Sequence, residues 1–319
     1  MSAIRFEQVS LQFPGTPRPA VDHCSCEVEE GQLVVILGPS GCGKTTLLKM
    51  VNRLYEPTSG KISLNGQDIR QLAVTKLRQQ IGYVIQQSGL FPHMTVAQNV
   101  AVVPKLLGWS RPNIQARIDE LLTLVQLSPQ EYRHRYPAQL SGGQQQRVGL
   151  ARALAGNPRV MLMDEPFGAI DAITRTTLQD EILRLQRQLQ KTILFVSHDV
   201  EEALRLGDRL LIMEKGQIIQ YDTPFNVLTQ PANDFVYHLV GADDMVRQLS
   251  LLRVESAMKQ VPATYYLHGD PTVERRDSLR SALSLILKTG VPRLTVLENG
   301  SPVGVLTLEH IRDLAGARV

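Results

Sequence analysis

A glycine-rich stretch between an apolar run and a helix-forming run constrains this chain more than any other feature. The stretch reads Gly38-Pro39-Ser40-Gly41-Cys42-Gly43-Lys44-Thr45, between the apolar residues 33–37 and the residues 46–51. The pattern predicts strand, loop and helix with the spacing G-x-x-x-x-G-K-T. Small residues let the backbone N–H groups of such a loop point inward, and the helix N-terminus adds partial positive charge. We therefore expect a phosphate-binding loop in which Lys44 reaches the β- and γ-phosphates and the Thr45 hydroxyl binds Mg²⁺.

Length and composition indicate a folded protein with one large and one small domain. The chain has 319 residues, is 43% hydrophobic and 20% charged, and carries a net charge of +3, which is too small to indicate nucleic acid as a partner. No apolar run approaches the ~18 residues of a membrane span, and the N-terminus has no signal-peptide core. The three cysteines, an odd number, favour a reducing compartment.

The first 70 residues carry strand patterns. Apolar residues alternate at Ile4 and Phe6, and again at Cys24, Cys26 and Val28, which predicts antiparallel strands. The alternation places the two cysteines on one strand face and does not favour a metal pair. The Asn-Gly dipeptide at 65–66 predicts a hairpin turn.

Phe13 precedes a proline- and glycine-containing loop and lies upstream of the phosphate loop. Two interpretations of Phe13 stay open on spacing alone. It is either an aromatic shelf for a purine base or a half-buried strand residue.

The middle of the chain predicts a short strand and then a helical region. Residues 81–86 form an apolar run ending in Gln86, and residues 88–140 show helical periodicity, with one apolar face made of Ile114, Ile118, Leu121 and Val125. Four prolines are expected to break this region into short helices: Pro104, Pro112, Pro129 and Pro137.

The segment Leu140–Gln144 predicts a second anion-binding helix start. Ser141 is a natural N-cap, and the two glycines that follow leave the backbone N–H groups uncovered. Taken alone, the segment is weak evidence, because a flexible capped turn has the same sequence pattern.

Buried strands alternate with helices between residues 158 and 213. Apolar runs at 160–163, 192–196 and 210–213 alternate with an amphipathic helix that has Leu178, Ile182, Leu185 and Leu189 on one face. This alternation predicts a mainly parallel, doubly wound sheet. The first run ends in Asp164-Glu165 and the second precedes His198, so these side chains are expected at the carboxyl edge of the sheet.

The character of the sequence changes after about residue 235. Residues 234–259 read as a helical linker. A strand at 272–273, a helix with an apolar face, and strands at 294–297 and 303–306 then predict a small βαββα unit of about 60 residues.

Taken together, these motifs resemble the ATP-binding subunit of an ABC transporter over roughly residues 3–230. Residues 38–45, Gln86, 140–144, 161–165 and His198 look like the Walker A loop, Q-loop, signature, Walker B strand and switch histidine of that family. Residues 167–171, ending in Asp171, look like its D-loop, and Phe13 falls where its base-stacking aromatic lies. The longer wording at 163–171 and 52–54 is similar to importers of quaternary amines, and residues ~254–312 resemble one CBS motif, without the usual tandem partner.

The resemblance implies a fold and a domain organisation. The fold is α/β: a P-loop NTPase core with a mostly parallel sheet, an antiparallel β subdomain and a helical subdomain at about 88–155, plus a small C-terminal CBS-like α/β unit. The expected division is 1–235 for the ABC ATP-binding domain, 236–253 for a linker helix and 254–319 for the single CBS-like motif.

The resemblance also implies residue roles, with ATP and Mg²⁺ as the ligands. Glu165 is expected to be the general base, His198 to contact the γ-phosphate and the attacking water, and Gln86 to complete the Mg²⁺ and water shell. Thr45, Gln86 and Asp164 are expected to hold Mg²⁺. The residues expected to contact nucleotide are Phe13, Gly38, Ser40, Gly41, Cys42, Gly43, Lys44, Thr45, Thr46, Ser141, Gly143, Gln144 and Asp171.

The function implied is ATP-driven import of a quaternary-amine osmoprotectant. Two chains would form a homodimer that sandwiches two nucleotides. The dimer would bind separate transmembrane permease subunits at the cytoplasmic face of the inner membrane. An extracytoplasmic substrate-binding protein would deliver the solute to that permease. Alternatives are an importer ATPase for another small solute such as an amino acid, a soluble ABC-type ATPase outside transport, or a nucleotide-responsive binding protein governed by the C-terminal unit. That unit has two interpretations, sensing a ligand or ionic strength and bracing the dimer.

Overall fold

A computed structural model describes residues 2–85, 89–168, 172–260 and 271–316, with side chains omitted at 172–174 and 314–316. The chain divides into two compact units, residues 1–222 and 223–319. The sequence-based domain boundaries at 235 and 253 stay a prediction.

The strands are β1 Ser2–Leu11, β2 Val21–Glu29, β3 Leu33–Leu37, β4 Ser59–Leu64, β5 Gln67–Asp68, β6 Ile81–Val84, β7 Val160–Asp164, β8 Thr192–Ser197, β9 Arg209–Glu214, β10 Gln217–Asp222, β11 Thr272–Glu274, β12 Arg293–Glu298 and β13 Ser301–Thr307. The α-helices are α1 Lys44–Val51, α2 Val74–Gln79, α3 Val96–Leu106, α4 Arg111–Leu124, α5 Pro129–Tyr132, α6 Gly142–Leu154, α7 Ala172–Leu189, α8 Val200–Leu206, α9 Pro224–Thr229, α10 Asp234–Val240, α11 Met245–Leu251, α12 Leu279–Thr289 and α13 Leu308–Gly316. Among the described helices, none is both long and apolar enough to cross a lipid bilayer.

An antiparallel sheet with the order β2-β1-β4-β5 confirms the strand pattern of the first 70 residues. Asn65 and Gly66 both have positive φ, 50° and 79°, as the tight turn between β4 and β5 requires. Cys24 is buried and Cys26 packs partly buried against the same apolar cluster, which confirms that the two cysteines lie on one strand face.

The second sheet has the order β10-β9-β3-β8-β7-β6, and β9, β3, β8, β7 and β6 run parallel to one another. This confirms the α/β class and the mainly parallel sheet. β3 is buried at every residue, which explains its continuous apolar sequence. The register pairs Leu37 with Ser197 and Asp164 with Val196, so β3, β7 and β8 end at one edge.

The helical region between β6 and β7 contains α3 to α6, and the predicted apolar face of α4 is buried. One proline prediction was wrong: Pro104 lies inside α3, which continues to Leu106. Pro104 sits in the last turn, where it removes one backbone donor without preventing the helix from finishing. Pro112 and Pro129 instead occupy the first turns of α4 and α5, where a missing N–H costs little.

The C-terminal unit has a small sheet with the order β11-β12-β13, against which α12 and α13 pack. The predicted β, α, β, β, α order is observed. The predicted linker helix is interrupted: α10 ends at Val240, Gly241 follows as its C-cap with φ of 60°, and α11 ends at Leu251. The backbone leaves helical geometry there because the left-handed conformation at Gly241 caps the helix. The CBS-like assignment stays a prediction.

Candidate active site

The phosphate loop connects the end of β3 to the start of α1, as the sequence predicts. Gly38, Gly41 and Gly43 have φ of 157°, 78° and 105°. A side chain at Gly43 would run into the carbonyl oxygen of Ala20, so its glycine is required by both backbone angle and space. Ser40 is exposed, and Thr45 and Thr46 lie half-buried in the first turn of α1.

The Lys44 ammonium lies against this loop. Its side chain is buried, and Nζ donates hydrogen bonds to the carbonyl oxygens of Gly38 and Pro39, both at 2.8 Å. Cys42 is 4% exposed, and burial raises the pKa of its thiol. The thiol therefore stays protonated at neutral pH, which opposes redox reactivity at this loop.

Thr45 and Asp164 come together although 119 residues separate them in the chain. The Thr45 hydroxyl donates to the Asp164 carboxylate oxygen Oδ1 at 2.8 Å. Burial raises the pKa of Asp164, against the opposing effects of the Thr45 hydrogen bond and of Lys49 and Lys44. Two hard oxygen ligands next to a phosphate loop are the donor set that Mg²⁺ prefers, so these residues fit the metal.

Glu165 and His198 also meet at this edge. The Glu165 carboxylate oxygen Oε2 lies 3.2 Å from His198 Nδ1. Glu165 has φ of 44°, a conformation that costs a non-glycine residue energy and turns the chain off the end of β7. Its backbone N–H donates to the Val196 carbonyl at 3.1 Å, which anchors the turn on the neighbouring strand.

Ser141 caps α6 as predicted. Its hydroxyl accepts from the Gln144 backbone N–H at 3.3 Å, and the Gln144 side-chain oxygen accepts from the Ser141 N–H at 3.0 Å. Gln144 also donates to the Tyr132 hydroxyl, so the hydrogen bonds of this pair stay within the helical region. Ser141 and Gly142 are exposed and Gly143 is half-buried.

Phe13 lies two residues beyond the end of β1 and is half-buried. Its ring packs edge-on against Tyr55, with centroids 5.3 Å apart. Lys49 Nζ in turn lies 5.8 Å from the Tyr55 ring centroid. Both interpretations of Phe13 therefore stay open. Gln86 and Asp171 lie outside the described residues.

Sequence reasoning missed a buried polar cluster behind His198. Ser197 and Glu202 flank the histidine along the chain, and both are buried, as is Gln179 of α7. The pattern Asp199-x-x-Glu202 marks a helix start, but it gives no signal that the Glu202 carboxylate is buried.

Comparison with known proteins identifies the family. A model described as "ABC transporter" matches residues 21–168. The osmoprotectant import ATP-binding protein OsmV of Salmonella typhimurium is 44% identical over 98% of this chain and 81% of its own length. The glycine betaine uptake system ATP-binding protein YehX of Escherichia coli is 47% identical over 98% of both chains.

This chain belongs to the ABC transporter ATP-binding proteins. A solved dimeric ATP-binding cassette in a post-hydrolysis state, bound to ADP and Pi, is 30% identical, with a TM-score of 0.62 over 69% of this chain and 98% of that one. The family confirms ATP binding, ATP hydrolysis and the P-loop fold of the first unit.

Proposed function

We propose that this chain hydrolyses ATP as a homodimer and powers uptake of a quaternary-amine osmoprotectant through a separate membrane permease. The observation that carries the enzymatic part is the contact of Glu165 with His198 at 3.2 Å, beside the phosphate loop. The cargo class is supported by the relatives whose names specify osmoprotectant and glycine betaine.

Phosphate binding follows from the loop. The Lys44 ammonium now donates to two neutral carbonyl groups. A hydrogen bond from the ammonium to a phosphate oxygen pairs two opposite charges and is stronger than one to a neutral carbonyl, so the ammonium would exchange one kind of acceptor for the other. Thr45 and Asp164 would hold Mg²⁺, which neutralises charge on the phosphates, and Gln86 is proposed to join them.

Hydrolysis requires a base close to the γ-phosphate. The Glu165 carboxylate would accept a proton from the attacking water. The water oxygen would bond to the γ-phosphorus while the bond from the γ-phosphorus to the bridging oxygen of ADP breaks. His198, 3.2 Å from that carboxylate, would orient the water and contact the γ-phosphate from the opposite side.

The capped start of α6 is proposed to complete the site of a second copy. Ser141 and Gly142 are exposed, so this helix start is accessible to a second copy, where it would close over the partner's ATP together with Gly143 and Gln144. We also propose that Asp171 contacts nucleotide and that the Phe13 ring stacks on the purine base. The dimeric state of the solved cassette supports it.

Closure of the dimer must act on a membrane partner. Phe91, 41% exposed, lies within residues 86–100, which we propose receive a helix from the permease. An extracytoplasmic binding protein would deliver solute to that permease, and nucleic acid is not expected as a partner. The chain would then lie peripherally on the cytoplasmic face of the inner membrane.

The test is the variant Glu165→Gln, which keeps the shape of the side chain and removes the base. We expect hydrolysis to fall by ~10²–10⁴-fold while ATP binding is retained. Light scattering at millimolar Mg-ATP should then show a stable dimer. Near-normal turnover, or a monomer under these conditions, would contradict the proposal, and failure of the chain to co-purify with a membrane permease would favour a soluble ATPase.

A further inference from the structure

The segment that carries His198 is held by buried side chains on both sides. It connects β8 to α8, and Ser197 is 2% exposed whereas 60% of the His198 side chain is exposed. The Ser197 hydroxyl accepts from the Asp199 backbone N–H at 3.0 Å and donates to the Glu202 carboxylate. The His198 imidazole is therefore exposed, whereas the backbone around it is held by buried hydrogen bonds.

Glu202 is the centre of this anchor. One carboxylate oxygen accepts from Ser197, and the other accepts from the Gln179 amide at 3.0 Å. Glu202 is 7% exposed and Gln179 5% exposed. Burial of an anion among neutral donors is costly, and it raises the pKa of Glu202. A residue of this kind needs a reason beyond packing.

A second connection to the same helix lies nearer the surface. Arg175 of α7 lies 3.4 Å from the Asp199 carboxylate, and Asp199 accepts from the Glu202 backbone N–H as the N-cap of α8. Arg175 and Gln179 are four residues apart, so they share one face of α7. The residues on either side of His198, Ser197 and Asp199, are thus both connected to one face of α7. Arg175, the first residue of that face to take part, lies about one turn after the helix start at Ala172.

We propose that Glu202 and Gln179 are positioning residues for hydrolysis. Acting through Ser197 and the backbone of 197–199, they hold the His198 imidazole at its distance from Glu165. The inference rests on the proposed catalytic roles of Glu165 and His198. The proposal gives neither Glu202 nor Gln179 a contact with nucleotide. Substituting them should therefore slow hydrolysis without changing the affinity for ATP.

The experiment inverts the hydrogen-bonding polarity of the pair in the full-length chain. Arg205 donates to the Gln179 oxygen at 3.3 Å, so the Gln179 amide nitrogen is the atom that faces residue 202. Glu202→Gln therefore opposes two amide groups in a mismatched orientation, and Gln179→Glu opposes two carboxylates. The double variant Gln179→Glu with Glu202→Gln restores one donor and one acceptor, and it still allows Ser197 to donate to residue 202. Glu201→Gln, the same chemical change at the exposed neighbouring position, is the matched control.

We expect kcat to fall about tenfold or more in each single variant and to return to within about threefold in the double variant. The affinity for ATP, measured by displacement of a fluorescent ATP analogue, should stay within about twofold throughout, because the phosphate loop is untouched. Glu201→Gln should match the unmodified chain in both readouts.

Unchanged kcat in the single variants would overturn the inference. So would parallel losses of kcat, ATP affinity and Tm without rescue in the double variant, because that pattern marks a purely structural role. If either single variant fails to fold, Ser197→Ala removes only the hydroxyl and should give the same selective loss of kcat. If the unmodified chain hydrolyses ATP no faster than Glu165→Gln, the proposed function itself is wrong. That outcome is distinct from a normal rate in the unmodified chain with unchanged kcat in the single variants, which would contradict only the positioning roles.

Discussion

Asn99 offers a sharp test of how the loop before α3 is held. Its side chain is fully buried. Its oxygen accepts from the Phe91 backbone N–H at 2.8 Å, and its amide nitrogen lies 3.1–3.2 Å from the carbonyl oxygens of Phe91, Met94 and Thr95. One amide thus organises the segment that presents Phe91, the residue proposed to meet the permease.

The cost of Asn99→Ala follows from this geometry. The amide can make about three hydrogen bonds at once, one accepted and two donated, each with a net worth of about 0.5–1.5 kcal/mol. The Thr95 carbonyl keeps the Asn99 backbone N–H as a partner, which limits the loss. We therefore expect a free energy of unfolding lower by about 2–4 kcal/mol.

Two readouts measure this change. Trp109 is the only tryptophan of the chain and follows α3, so its fluorescence during urea unfolding reports on this region. Hydrogen exchange at the Phe91 amide should accelerate about 30-fold for a loss of ~2 kcal/mol. The exposed neighbour Gln98 forms the capping box with Thr95, so Gln98→Ala should cost about 0.5–1 kcal/mol.

Asn99→Asp separates the acceptor role from the donor role. It keeps an oxygen for the Phe91 N–H but turns a buried carboxylate toward carbonyl oxygens, so the variant should be least stable at neutral pH and recover as the carboxyl is protonated in acid. If Asn99→Ala costs less than about 0.5 kcal/mol, or if Asn99→Asp is pH-independent, the amide does not hold the loop.

Three further predictions concern backbone, charge and capping. Gly43→Ala should cost about 1–3 kcal/mol in stability and weaken ATP binding, because the new methyl group meets the Ala20 carbonyl; thermal unfolding and nucleotide titration would show an unchanged protein if this is mistaken. Arg147→Ala should cost about 1–3 kcal/mol at neutral pH, because the buried Glu181 loses Arg147, 3.8 Å away, and keeps Arg184 at 3.6 Å. Burial raises the pKa of Glu181, so the stability linked to its bound proton is present below its unfolded pKa and is lost as pH rises through the folded pKa. The loss of unfolding free energy in Arg147→Ala, measured by urea unfolding, should therefore grow from acid to neutral pH. A loss that does not change with pH would contradict this prediction. Ser141→Ala removes the α6 cap and should cost about 1 kcal/mol by thermal unfolding, whereas no change in Tm would show that the cap is dispensable.

The local elements were predictable because their causes are local. The phosphate loop depends on glycines that take left-handed angles and on an apolar run that enters a sheet, and both can be read within a dozen residues. Pro104 shows the limit of such reading, since its effect depends on how near the helix end it falls.

The contacts of the site could not be read in this way. Glu165 and His198 are brought together by the parallel pairing of β7 with β8, and Thr45 and Asp164 by the placement of β3 on the other side of β8. The buried Glu202, Gln179 and Asn99 resemble ordinary polar residues in sequence, because burial is a property of the packed chain.

The sequence by itself determined which residues have the chemistry for phosphate, metal and proton transfer, and which segments form strands and helices. Only the tertiary structure decided which of those residues touch and which polar groups lose their water. The physical reason is that backbone preferences arise between near neighbours, whereas strand register and burial arise from contacts between segments far apart in the chain.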